Sequence, residues 1–390
     1  MNTRSAGSER HDTRAVVQLI AGDGRGGADR IALALGEGLR ALGLPVAFAV
    51  FPEFLERHDL RAQGYTLYPL TRRRGMGGAR DVRRRLADAR LILSHDSGSR
   101  HLALNARLLG LSTPIWFMRH CISGTSRFGG VQLHRLLIQR QIAVSHSVAE
   151  SLMASGYPAS RVDTVHGGVA LAPFASPDAA EVAALRERWL ADVPPGTPII
   201  GMVARFNLYP AWHAAATDLK GYDVLFAALA RLTLPWRLLV VGPKDAADFT
   251  ALRAMAAHHG ADPQRLIFTG FVERMSPVYA LMDLNVLPSR SEGLGLGAIE
   301  GMAAGVATVA SASGGLREVI TPGETGLAVP EGNAHALADA LHTLLSEAQT
   351  RQVLATQGQR AALERFDAAR MSARVAELID LHHPARSAAQ

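Results

Sequence analysis

Two carboxylates, Glu292 and Glu300, enclose a run of glycines, and this is where the chain concentrates residue types able to do chemistry. Residues 291–315 read SEGLGLGAIEGMAAGVATVASASGG. Pro288 and the Ser289-Arg290-Ser291 run close an apolar strand predicted over residues 284–287. Gly293, Gly295 and Gly297 then make a turn, and a helix is predicted over residues 298–304. Glycines let backbone approach a ligand closely, and the free N–H groups of a first helical turn, with the helix dipole behind them, favour a diphosphate. A bare phosphate gains nothing from two carboxylates beside it. The hydroxyls of a ribose and a hexose do, because a carboxylate accepts such donors in pairs. The spacing therefore suits a diphosphate that carries sugars at both ends.

A framework has to hold those groups. The 390 residues, 48% of them hydrophobic, are enough for two domains with a core each. A strand predicted over residues 15–20 leads into GDGRGGADR and then a helical pattern, Ile31, Leu33, Leu35, Leu39 and Leu42, stopped by Gly43. Gly22, Gly24 and Gly27 satisfy G-x-G-x-x-G, but the next strand, residues 45–51, runs into Pro52 and Glu53 with no acidic residue placed for an NAD ribose. That argues against a dehydrogenase. Further strands over residues 91–94, 114–118 and 141–145 imply a mostly parallel sheet with crossovers. Their ends carry His95, His120 and Ser145, and open α/β sheets bind ligands outside the carboxyl ends of strands, so both histidines are candidates. A proline-rich connection spans residues 171–198. Beyond it PIIGMVARF delivers Arg205 to a strand end, DLKGYDVLFAALARL starts a helix at Lys220 and Gly221, and two more strands end at Gly242-Pro243 and at Phe271-Val272.

Composition narrows the partners. The formal charge is only +6 and no aromatic residues interleave with the basic clusters, which argues against nucleic acid. Basic residues are nearly all Arg; the lysines are Lys220 and Lys244, so Lys220 marks a place that wants a compact ammonium rather than a planar fork. Cys121, the single cysteine, excludes an internal disulfide and a cysteine metal cluster and is expected to be a buried small hydrophobe. His258, His259, His382 and His383 fall at expected helix ends, and no metal site is implied. Residues 1–14 and the final HHPARSAAQ are expected outside the fold. Without an apolar run of eighteen residues or a signal-peptide pattern, a cytoplasmic protein is expected.

The stretch EGLGLGAIEGMAAGVATVASASGGLREVITPGETGLAVP resembles the Glu-x7-Glu signature of retaining glycosyltransferases of family 4. It departs from it at Gly301, where Ala is usual, and Ala307, where Pro is usual. GGADRIALALGEGLRALG resembles the first loop and helix of that family. AVSHSVAESLMASGYPASRVDTVHGGVALAPF resembles the last strand, helix and turn of its first domain, with His166 and Ala170 in place of the usual Asn and Asp. The resemblance spans residues 15–380 and implies an α/β GT-B fold: two Rossmann-like domains facing across a cleft. It places an acceptor-side domain at residues 1–178, a linker at 179–198 and a nucleotide-sugar domain at 199–365, with a C-terminal helix, 366–385, packed back on the first domain.

The resemblance also assigns roles. Arg205 and Lys220 match the pair that clamps the donor diphosphate, Glu300 the ribose ligand, Glu292 the acceptor of donor-sugar hydroxyls, and His120 a contact to the transferred sugar. Gly293, Leu294, Gly295 and Leu296, with Gly26 and Gly27 of the first loop, would lie close to the donor, and Phe271 and Val272 would seat the base. The gap between Arg205 and Lys220 is longer than usual, so residues 206–219 form an insertion. The implied activity is transfer of a sugar from a UDP- or GDP-sugar to an acceptor hydroxyl with retention, in cell-surface polysaccharide, lipopolysaccharide or glycolipid synthesis. No cofactor or metal is expected, since the donor cleft offers no Asp-x-Asp. The acceptor would be a glycan or lipid-linked, and Arg72, Arg73, Arg74, Arg80, Arg83, Arg84 and Arg85 would place the protein peripherally on an anionic membrane face. The alternatives are a sugar-nucleotide epimerase of the same fold and a non-catalytic partner in a glycan synthase complex; Lys220 and both glutamates argue against the second.

Overall fold

A computed structural model describes residues 14–71, 75–122, 135–206 and 218–384. Two parallel sheets organise the chain. The first contains β1 Val16–Leu19, β2 Val46–Val50, β3 Thr66–Pro69, β4 Leu91–Ser94, β5 Ile115–Arg119, β6 Arg140–Ala143 and β7 Val162–Thr164, in the order β3-β2-β1-β4-β5-β6-β7. The second contains β8 Ile199–Val203, β9 Arg237–Val241, β10 Leu266–Gly270, β11 Leu284–Leu287, β12 Ala307–Ser311 and β13 Leu327–Val329, in the order β10-β9-β8-β11-β12-β13. Val16 and Ile20 enter one hydrophobic core while Val17 and Leu19 enter another, so both faces of the first sheet are covered. Strands buried on both faces read as unbroken apolar runs, which is why VVQL, VAFAV and LILS stand out in the sequence. The half-exposed edge strands β3 and β7 lack such a run and have no counterpart among the strands expected.

Strand order reverses between β1 and β4 in the first sheet and between β8 and β11 in the second. At such a switch the connections leave to opposite sides and a crevice opens at the carboxyl ends. The loop before helix α1 (Gly27–Ala41) and His95 sit at the first switch, and Arg205 and Glu292 follow the strands of the second.

The two halves share one core. Val16, Ile31 and Leu35 belong to the same cluster as Tyr279, Ala298 and Met302. The last helix, labelled α6 here (Ala368–His382), lies against α1. A Cβ on Gly38 would meet Ser372 Oγ at 2.1 Å, so the bare glycine sets how closely these helices approach. Arg90 fastens the far end of α6 through Asp380 (2.8 Å) and the His383 carbonyl (2.7 Å). Among the described residues no helix is long and apolar enough to cross a membrane. Of the basic run, Arg72, Arg73 and Arg74 lie outside the described residues. Arg80, Arg83 and Arg84 are exposed on helix α2 (Gly75–Arg85), and Arg85 is half-buried against Asp81.

Candidate active site

Beyond β11 the chain turns through Ser289, whose carbonyl accepts hydrogen bonds from the hydroxyls of Ser311 and of Ser313, the latter at 2.6 Å. Ser289 Oγ in turn donates to Glu292 Oε1 (3.1 Å), and Lys220 Nζ reaches the same oxygen at 2.5 Å. The ammonium comes from the residue before Gly221, which opens helix α4 (Tyr222–Leu229), and Asp218 holds that entry by accepting from the Lys220 and Tyr222 N–H groups. Arg290 crosses to Asp223 with two bonds of 2.7 Å and ties the β11 exit to α4. The residue sequence reasoning gave to a diphosphate and the one it gave to a sugar are thus an ion pair. Glu292 is 15% exposed and Lys220 32%, so the pair borders solvent rather than the core.

Gly293 must be glycine for a spatial reason: a Cβ there would stand 2.0 Å from the His120 carbonyl oxygen of the facing domain. Gly295 has φ of 96°, the left-handed conformation that lets the chain enter helix α5 (Leu296–Ala303). No side chain caps α5, so its first N–H groups stay available to an anion. Leu294 is buried, and Leu296 faces Gly27 across the domain seam. Gly26 N–H is taken by Asp29 Oδ2 (3.0 Å). The departure at Gly301 has a cause too, since a Cβ there would lie 2.2 Å from Asn285 Nδ2.

Glu300 is 1% exposed. Its Oε1 meets Arg30 of α1 at 2.6 Å and its Oε2 accepts from Tyr279 Oη at 3.2 Å. Burial raises its pKa, against which the Arg30 charge and the Tyr279 hydroxyl work to keep it ionised. The Arg25 guanidinium lies 5.2 Å from the centre of the Phe271 ring, which is 42% exposed, while Val272 is half-buried against the shared core. Arg25 and Arg30, both from the first domain, thus reach Phe271 and Glu300 of the second. Neither was singled out from the sequence, because nothing distinguishes them from the many other arginines.

The first domain also contributes His120, at the end of β5. Its Nε2 lies 3.2 Å from His95 Nδ1, and His95 Nε2 lies 2.7 Å from Gln18 Oε1. Burial and the neighbouring Arg119 push the His120 pKa down to about 3, and burial first, then His120, pushes His95 well below the usual range. Both rings are neutral. Ser145 caps helix α3 (His146–Ala154) and donates from its hydroxyl to the Gly293 carbonyl at 2.6 Å, joining the two domains beside the glycine turn.

Arg205 is exposed and makes no ion pair among the described residues, and Lys244 is exposed. Residues 207–217, most of the expected insertion, lie outside the described residues. Cys121 is not the buried hydrophobe expected: it is exposed, because it follows His120 past the end of β5 rather than continuing the strand inward.

A second seam contact went unrecognised in the sequence. Glu318 accepts from the N–H groups of His146 (2.8 Å) and Ser147 (2.9 Å) and from His166 Nε2 (2.9 Å). Burial alone would raise its pKa, but the His166 bond and the two α3 amides hold it at about 2. His166, which stands where the family has Asn, thus serves an interdomain carboxylate. Ligand atoms of His146, His166 and Glu318 all lie within 4.8 Å of one another. Both Glu318 oxygens, however, already accept N–H groups from the positive end of α3, a poor environment for a cation.

Two parallel Rossmann-like sheets, each with its switch point facing the other, define the GT-B architecture. Residues 25–172 match the family model of Glycosyltransferase Family 4 and residues 199–347 that of Glycosyl transferases group 1. Each match takes in one domain, and together the two span most of the chain. It is 35% identical over 233 residues to the D-inositol 3-phosphate glycosyltransferase of Xylanimonas cellulosilytica, covering 58% of this chain and 52% of that protein. It is 36% identical over 220 residues to the GDP-mannose-dependent alpha-mannosyltransferase of Mycobacterium tuberculosis, covering 56% and 50%. The chain thus spans about half the length of the curated relatives it matches. Its fold is that of Anabaena Alr3699/HepE, solved in complex with UDP and glucose, with a TM-score of 0.81 over 95% of this chain and 100% of the other at 19% identity.

Proposed function

We propose that this chain moves a sugar from a UDP- or GDP-sugar to an acceptor hydroxyl with retention at the anomeric carbon, in the synthesis of a cell-surface polysaccharide, lipopolysaccharide or glycolipid. The names of its relatives, which act on inositol phosphate or use GDP-mannose, and the UDP of its structural neighbour support this class of donor. The observation that carries the reading is the Lys220–Glu292 pair beside the uncapped start of α5, with the His120 carbonyl of the opposite domain closing over Gly293. A cation, a carboxylate and free amides then converge on one place, which is what a sugar diphosphate requires.

As the bond from the anomeric carbon to the phosphate oxygen breaks, negative charge grows on that phosphate. Lys220, Arg205 and the first amides of α5 stabilise it, without a divalent ion. The departing phosphate oxygen takes the proton of the acceptor hydroxyl, whose oxygen bonds to the anomeric carbon on the face the phosphate leaves. Glu292, fixed by Lys220 and Ser289, accepts donor-sugar hydroxyls and faces the developing positive charge; it forms no bond to carbon. Glu300 accepts the ribose hydroxyls. In the free protein Arg30 takes one site on Oε1 and Tyr279 one on Oε2, so each oxygen keeps a further lone pair for a ribose hydroxyl.

Titration with UDP, GDP and their sugars, followed by NMR of the product's anomeric proton, tests this. Glu300→Ala should weaken the free nucleoside diphosphate, whereas Glu292→Ala should mainly lower turnover of the intact donor. Equal loss of nucleotide affinity in both variants, or an inverted product, would overturn the assignment.

A further inference from the structure

A glutamine in the middle of a fully buried central strand needs a reason. Gln18 lies between Val17 and Leu19 in β1 and is itself wholly buried, on the side of the sheet that carries Val16 and Ile20 into the shared core. Burying an amide without partners costs a few kcal/mol, so a valine would serve the core better. The Gln18 carbonyl oxygen points at His95 Nε2 (2.7 Å), and His95 Nδ1 at His120 Nε2 (3.2 Å), with the two rings stacked at 5.5 Å and 26°.

A neutral imidazole has one N–H and one lone pair, so each ring passes on a direction. Facing a carbonyl oxygen, His95 carries its proton on Nε2. Its Nδ1 is then a lone pair, which requires the His120 proton on Nε2, and His120 Nδ1 becomes a lone pair as well. That nitrogen is shielded from solvent and has no hydrogen-bond partner among the described residues. A shielded acceptor left unused just past the end of β5 is what a ligand hydroxyl would complete.

We propose that Gln18 and His95 are positioning residues that lock His120 in its Nε2–H tautomer, so that Nδ1 is offered as an acceptor to a hydroxyl of the transferred sugar. The role toward the sugar rests on the function proposed above; the tautomer does not. Low proton affinity keeps both rings neutral, so the direction of the chain survives near neutral pH. Turning the Gln18 amide over reverses every member: His95 would donate from Nδ1, His120 would accept at Nε2, and its Nδ1 would become a donor. Gln18 therefore decides what His120 offers.

The test is histidine tautomer assignment by 15N NMR of the free, full-length protein. His120 should show a protonated Nε2 and a bare Nδ1, unchanged in Gln18→Glu, which still presents an acceptor oxygen. Gln18→Met, which removes it, should mix the tautomers and raise the donor KM by about fivefold, the worth of one neutral hydrogen bond, with a smaller change in kcat. Nδ1 protonated in the wild type overturns the proposal, as does a tautomer indifferent to Gln18→Met. Should Gln18→Met fail to fold, a tautomer altered in Gln18→Glu would overturn it equally. A redistributed tautomer with unchanged KM removes the role toward the sugar. If the tautomers behave as stated but no sugar nucleotide binds the wild type, the relay stands and the function falls.

Discussion

Glu318→Gln is the most direct probe of how the two domains are held. The carboxylate closes the seam by accepting two amides of α3 and His166, and its pKa falls from the ordinary 4.5 to about 2. That gap of roughly 2.5 pH units, at about 1.36 kcal/mol each, corresponds to about 3 kcal/mol of stabilisation by the ionised form. The side chain is 16% exposed, so solvent screening removes little of it. A glutamine keeps one acceptor oxygen but turns an NH2 toward donors, so about 2–3 kcal/mol should be lost at pH 7. The sign of the pH dependence follows from a depressed pKa: the contribution is complete above 4.5 and fades as pH falls toward 2. Urea unfolding of wild type and variant at a series of pH values should therefore show a stability gap that is full at pH 7 and shrinks below 4.5. A gap that does not change with pH, or one below about 0.5 kcal/mol at pH 7, would refute the account of Glu318 as an ionised clasp.

Two further outcomes follow from the site and its surroundings. Sugar transfer should survive excess EDTA, because Lys220, Arg205 and the start of α5 balance the diphosphate; loss of activity restored by Mg²⁺ or Mn²⁺ would contradict the proposed mechanism. Exposed Arg80, Arg83 and Arg84 on α2, at about 1 kcal/mol each near an anionic surface, should bring the protein to phosphatidylglycerol vesicles at low salt. Sedimentation should show this binding fall as salt rises and disappear in the Arg83→Gln, Arg84→Gln, Arg85→Gln triple variant; salt-insensitive binding, or none at low salt, would speak for a soluble acceptor.

What was legible in the sequence is what a single segment encodes. The buried parallel strands announce themselves as apolar runs, and the glycine turn, Glu292 and Glu300 lie on one strand-turn-helix unit whose spacing is local. Lys220 was conspicuous because almost every other cation is arginine. The contacts that went unread join segments far apart. Arg30 and Glu300 are separated by most of the chain, Glu318 and the α3 amides by well over a third of it, and Gln18 and His95 meet only because β1 and β4 are neighbours in the sheet. Periodicity carries no such information. One signal was nonetheless present: a glutamine inside VVQL breaks an apolar strand, and such a break asks for a polar partner.

The interdomain contacts bear on why the site cannot belong to either half alone. Glu300 is buried, and a buried carboxylate without a partner either costs several kcal/mol or takes up a proton. Its cation comes from α1 of the other domain. Glycine at 293 is required by the His120 carbonyl, and the Gly293 carbonyl is held by Ser145, again from the other domain. On the proposed function a ribose would meet the carboxylate that Arg30 pairs across the seam, whereas the Glu318 clasp and the Ser145 bond use other groups. Loss of Arg30 would therefore register in stability and, on the proposed function, in donor affinity, whereas loss of Glu318 would register in stability alone, so variants at the two contacts can be told apart.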